Sequence, residues 1–151
     1  MRFLFTLVLI LAFGHAQAQA ISTPRTVSPL EFRQVLAGWW DEGTQDEMGG
    51  MCGENRNLHR HVIADDGKSV TWEFERPMKT IDGKEAQSYT YQILESSGVA
   101  LTLLLNGETR TNPKGEALVW ELVVVDSGLF RWRATDFPAG VFNSIVGQRC
   151  R

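Results

Sequence analysis

Between Lys68 and Thr135 apolar residues recur at every second position, and this alternation limits what the chain can fold into more than any other feature. Val70, Trp72 and Phe74, then Tyr89, Tyr91 and Ile93, then Leu118, Trp120, Leu122 and Val124, then Phe130 and Trp132 each line one face of an extended strand. The runs are separated by Asp82-Gly83-Lys84, Ser96-Ser97-Gly98, Asn112-Pro113-Lys114-Gly115 and Asp126-Ser127-Gly128. Each separator holds a residue that tolerates positive φ or fixes φ, so each reverses the chain within a few residues. An antiparallel meander is the result.

Upstream, Ser28 with Glu31 forms a capping box, Pro29 takes the first helical position, and Phe32, Val35 and Leu36 make an i, i+3, i+4 stripe that ends at Gly38. A helix this short is marginal alone and must lie against one end or one outer face of the sheet. Gly38-Trp39-Trp40 then opens the first strand, and 43–57 has loop composition. Pro77 marks an edge or a bulge, and Asn106-Gly107 is read as a bulge inside one long strand. Strands are therefore predicted over 38–45, 57–64, 68–76, 86–95, 99–111, 116–126, 129–135 and 144–150. The fold class is all-β, an antiparallel meander of about eight strands closed into a barrel, because closure removes the open edges. Ala100, Thr102, Leu104, Val119, Val123 and Val125 make the outer face apolar as well, so the helix or a second copy of the chain, a homodimer, is expected to cover it.

The first twenty residues read as a cleaved leader: Arg2, an apolar run from Phe3 to Phe13, and small-x-small cleavage signals ending at Ala18 or Ala20. The run is well short of the roughly 20 residues a membrane span needs. Residues 21–27 read as a linker and 28–151 as a single domain, in a periplasmic or secreted protein. Cleavage removes Arg2 and makes the balance more negative than the −3 of the whole chain, and no basic cluster accompanies the aromatics, which argues against a nucleic-acid partner. Cys52 and Cys150 are the two cysteines, and in an oxidising compartment they are expected to bridge. A free catalytic thiol is the competing reading, but the sequence places no His beside either. The bridge would contribute about 3–5 kcal/mol on the chain-entropy model.

Three constellations carry candidate chemistry. Trp72, Tyr91, Trp120 and Trp132, with Leu103, fall inside the barrel, where they line a ligand cavity or fill a core. His59 and His61 emerge on one strand face; with Met48 and Met51 they offer a soft copper site, or with Glu54 a zinc site, and otherwise they belong to a solvated face beside a loop. Asp41, Glu42, Asp46 and Glu47 could do acid–base work, although such a run is more often a solvated loop. There is no phosphate loop, no G-x-S-x-G elbow, no H-E-x-x-H and no C-x-x-C, so no catalytic residue and no cofactor is assigned.

The helix leading into Gly38-Trp39-Trp40 resembles the entry to a lipocalin-type barrel, Thr135-Asp136-Phe137 resembles that group's T-D-Y motif, and Arg149 resembles its tryptophan-covering arginine. Too little chain follows Asp136 for the further strands and long helix of lipocalins, so the resemblance is to the smaller barrels of the wider calycin superfamily. It implies barrel closure by Trp40 and Arg149, a bridge between Cys52 and Cys150 that ties down the C-terminal segment, and a small apolar ligand in the barrel mouth. The expected function is thus a non-catalytic exported barrel that binds a small apolar molecule or a protein partner. The alternatives are a periplasmic metal-binding protein using His59 and His61, and an enzyme-inhibitor scaffold.

Overall fold

The computed structural model describes residues 28–79 and 83–151. The expected leader, the 21–27 linker and Asp82 of the first turn lie outside them. The strands are β1 (Trp40–Thr44), β2 (His59–Ile63), β3 (Ser69–Lys79), β4 (Glu85–Ser96), β5 (Ala100–Leu105), β6 (Trp120–Asp126), β7 (Leu129–Ala134) and β8 (Ile145–Arg149). All neighbours pair antiparallel, in chain order, and β8 returns to β1 to close the barrel. An up-and-down chain puts alternate connections at opposite ends. The tight turns at 64–68, 97–99 and 127–128 lie at one end with Ser28 and Arg151, and the long connections 45–58, 106–119 and 135–144 lie at the other, where β3 also passes to β4.

A 3₁₀ turn (Pro29–Glu31) and a four-residue helix, α1 (Phe32–Val35), precede the barrel. The Ser28 hydroxyl accepts from the Leu30 amide, as an N-cap should. Phe32 and Leu36 are buried in the same core cluster as Trp40 and Phe130, so the helix plugs the tight-turn end and leaves the outer face of the sheet uncovered. Val99 and Val125 remain more than half exposed, and Ala100, Thr102, Leu104, Val119 and Val123 half-buried. Trp40 is fully buried beneath the plug. Its indole N–H donates to the Leu36 carbonyl at 3.0 Å, and the Arg149 guanidinium lies 4.9 Å above its ring. Arg149 also donates to the Val35 carbonyl, fixing the last strand to the helix. Gly38 turns the chain between helix and strand at φ +100°, and a Cβ there would strike the Arg151 carbonyl.

Strand β1 pairs with β8 at five positions but with β2 only at Trp40 opposite His59. The segment 45–57 fills the gap. Arg56 donates to the Glu42 carbonyl at 2.7 Å, where a neighbouring strand would have done so, and to the Asp41 carboxylate at 2.6 Å. Asp41, only 2% exposed, also accepts from the Cys52 amide at 2.9 Å. Cys52 stands at φ 66°, costly for a residue with a Cβ, and its bridge to Cys150 spans 98 residues of sequence. Within this strap Thr44 and Glu47 form a reciprocal capping box that starts a 3₁₀ turn at Gln45–Gly50.

Three strand boundaries differ from the sequence expectation, one of them the start of β6, which begins at Trp120 rather than at 116. β3 runs through Pro77 to Lys79 with a register shift between Glu73 and Met78, the bulge that a proline without an N–H demands. β5 stops at Leu105: Gly107 takes φ +78°, Asn106-Gly107 is a turn, and 108–119 is irregular apart from a bridge between Thr111 and Ala117. The long strand 99–111 is therefore two pieces.

Gly147 faces Phe130 across β7 and β8, and a Cβ on it would lie inside the phenyl ring. Gly147→Ala should lower the urea midpoint by an amount equivalent to about 1–3 kcal/mol. Gly49→Ala, with nothing within 4 Å, should stay within about 0.5 kcal/mol; equal effects would refute the packing argument. Oxidised protein should show no alkylatable thiol when denatured, and Cys52→Ser with Cys150→Ser should cost about 3–5 kcal/mol.

Candidate functional site

Alternation along β1 sends Trp40 and Glu42 into the barrel and Asp41 out to the strap, so two adjacent acids have opposite surroundings. Glu42 meets indoles. Its Oε1 accepts from Trp132 Nε1 at 3.0 Å, and Trp72 supplies a second hydrogen bond. Burial pushes the Glu42 carboxyl up to about 7; the Trp132 and Trp72 bonds act the other way, and the Asp41 charge adds to the rise. The side chain nevertheless keeps 30% exposure, and it lines a cleft at the long-loop end.

The cleft holds about 170 Å³ and is lined by Glu42, Tyr91, Arg110, Trp120, Trp132, Asn143 and Ile145. Arg110 reaches it from the irregular segment after β5. Its guanidinium lies 5.6 Å over the Trp120 ring and grips both Glu108 oxygens, Nε on Oε1 at 2.8 Å and Nη2 on Oε2 at 2.6 Å. Tyr91 is largely buried, and desolvation, with Glu42 adding to it, holds its phenol well above the usual range, so it is a neutral hydroxyl. A wider opening of about 680 Å³ shares Tyr91 and Arg110 with the cleft.

Below the cleft the barrel is filled. Trp72 packs at 4.7 Å on Tyr91 and 5.6 Å on Trp132, and Leu103 is fully buried. Of the five residues expected to line a ligand site, Tyr91, Trp120 and Trp132 therefore reach the cleft, while Trp72 supports it from beneath and Leu103 belongs to the core. The interior is thus filled below the cleft and open at it.

His59 and His61 do share a face, but it is the inner one, not a solvated one. They pair across the hairpin with Phe74 and Trp72, and their rings stand 4.9 Å apart among Trp40, Trp72, Phe74 and Phe130. Desolvation lowers the His59 imidazole to about 3, with Asp41 opposing, and holds His61 well below its usual range, with His59 adding to the effect and the Leu36 carbonyl opposing it. His59 Nε2 has no hydrogen-bond partner and lies 3.8 Å from Glu42 Oε1. Met48 and Met51 belong to the strap, against the opposite face of β1, and Glu54 is exposed there. Among the described residues no group of three or more His, Cys, Asp or Glu is placed to hold a metal ion.

Glu42, Arg110, Asn143 and Ile145 were not singled out by sequence reasoning as cleft residues. For Glu42 a signal existed, its parity with Trp40, but its acidic neighbours made the stretch read as a solvated loop.

Folded-state burial gives these groups opposite pH signatures. The histidines, held neutral in the fold, take up protons more readily when unfolded, so they cost stability as pH falls below about 6.5. Glu42, whose folded carboxyl titrates higher than its unfolded one, contributes stability below about 4.5 that is lost as pH rises through about 7. Glu42→Gln should therefore gain on the wild type by about 1–3 kcal/mol between pH 4.5 and 7.5, as read from urea midpoints. A difference that is flat in pH would show that Glu42 titrates normally.

Compared with protein families, curated proteins and solved structures, the chain matches none, and its site rests on the geometry alone.

Proposed function

We propose that this protein is an exported, non-catalytic barrel of the lipocalin-like kind that holds a small, largely apolar molecule at its long-loop end. The observation that supports this reading is where the described interior opens at the long-loop end: a cleft walled by Tyr91, Trp120 and Trp132, above a filled core and opposite a plugged end. Its lining sets three aromatic rings and Ile145 around the convergent polar groups of Glu42, Arg110 and Asn143, as a small-molecule pocket combines apolar walls with a few placed polar groups. It favours a small ligand over a protein partner or an inhibitor scaffold, either of which would use the outer surface. Binding is preferred to catalysis because His59, the nearest group able to exchange a proton with Glu42, is walled off by Trp72 and Phe74 and held neutral. The disulfide supports export, since such bridges persist in oxidising compartments. Leader cleavage near Ala18 or Ala20 is part of the same reading. No helix among the described residues is long and apolar enough to cross a membrane.

Titration with the neutral fluorophore N-phenyl-1-naphthylamine tests it. Saturable energy transfer from tryptophan is expected at micromolar concentration, and Trp120→Ala should weaken it severalfold. Because Trp120 is half-buried at the rim, that substitution should cost less than the about 3–5 kcal/mol of removing a core aromatic. Transfer that rises linearly without saturating would defeat the small-ligand reading.

A further inference from the structure

The charges around the cleft do not balance from within the protein. Glu42 presents a carboxylate to it, and the one hydrogen bond drawn there from a cleft residue comes from a neutral indole, Trp132. Arg110 is the cation nearest the mouth, but Glu108 occupies both arms of its guanidinium. His59, 3.8 Å away, is neutral. An ionised carboxylate offers about four acceptor positions, so lone pairs of Glu42 remain for an occupant. Keeping such a charge partly desolvated and unpaired is costly, and an occupant that brings the opposite charge removes that cost. The surrounding walls, Tyr91, Trp120 and Trp132, are the ring systems whose faces attract cations. At about 170 Å³ the cleft is smaller than the roughly 300–1,000 Å³ of drug-sized pockets.

We propose that the occupant is a small organic cation, an ammonium carried on an apolar body, with its charge against the Glu42 carboxylate and its body between Tyr91, Trp120 and Trp132. This rests on the small-ligand reading above and adds the ligand's chemistry to it. A cation so placed favours the ionised carboxylate, so below neutral pH its binding displaces a proton from Glu42 into solvent. The other groups facing Glu42 do not compete for that role. His59 from β2 and the Tyr91 phenol from β4 stay neutral, Trp72 and Trp132 do not titrate, Arg110 is held by Glu108, and Asp41 on the same strand is held by Arg56.

Calorimetric titration with 2-phenylethylamine, 2-phenylethanol and 3-phenylpropionate separates the outcomes, because the three are close in size and differ in charge. At pH 8 the amine should bind about tenfold or more tighter than the alcohol, and the carboxylate most weakly. The amine-to-alcohol ratio should fall as pH drops from 8 to 6, and Glu42→Gln should bring it close to one. Should Glu42→Gln not fold, the pH profile of the wild type decides alone. Equal affinity for amine and alcohol, or a preference for the amine that is flat in pH, overturns the proposal. If N-phenyl-1-naphthylamine still saturates in that case, the small-ligand reading stands without it; if neither the fluorophore nor any of the three compounds binds, both fall.

Discussion

The burial of Trp40 is the contact on which the rest of the barrel depends. An eight-stranded barrel is just wide enough to be filled by side chains, and one indole at the tight-turn end fills it. Leu36 accepts its N–H, Arg149 covers one ring face, and Phe130 and His61 pack at 5.1 and 5.8 Å. Those partners come from the C-terminal cap of α1 and from β8, β7 and β2, so one side chain gathers four parts of the chain around it. With that end filled, the opening onto Glu42 lies at the long-loop end. The location of the cleft therefore follows from a packing event at the opposite end of the molecule.

The polar content of the interior is unusual for so small a core. Two histidines and a glutamate share it with Trp72, Phe74, Phe130 and Trp132. The histidines are tolerated by staying neutral, an option that an imidazole has at little cost near its ordinary titration range. The glutamate is tolerated differently, by indole donors and a remnant of solvent. Asp41, one residue away, takes the conventional solution and is paired with Arg56 while accepting a backbone amide. The two neighbouring acids show how the parity of a strand, rather than the chemistry of a side chain, determines its electrostatic surroundings.

Much of the fold was legible because alternation and turn chemistry are local signals. Val70, Trp72 and Phe74 pack inward as their period requires, Pro77 makes its bulge, and Ser28 caps its helix. The failures arise where a longer-range contact decides. Asn106-Gly107 has the composition of a hairpin turn, yet Glu108 to Thr111 is a very short run for a strand of its own, which favoured a bulge; the irregular segment beyond the turn places Arg110 against Trp120, a contact between residues ten apart that no local pattern encodes. The orientation of His59 and His61 depended on the register between β2 and β3, and once Ile63 is set opposite Val70 both histidines must share the face of Trp72 and Phe74. Glu42 was hidden by its setting among Asp41, Asp46 and Glu47. Thr44 with Glu47 carried a legible capping box that composition alone had assigned to loop.

The order in which strands meet has a consequence for how the chain finds this arrangement. Seven of the eight pairings join strands adjacent in sequence, and the eighth joins β1 to β8 across nearly the whole domain. Bringing distant segments together costs more chain entropy than forming a hairpin, although the cost grows only slowly with length. In a sequential barrel that cost is concentrated in one seam instead of being spread over many. The Cys52–Cys150 bridge ties the strap beside β1 to the residue that follows β8, so it lies on this seam. Once formed, it closes residues 52–150 of the unfolded chain into a ring that carries β8 and keeps β1, just upstream of Cys52, close to it, so the one non-local pairing becomes a nearly local one.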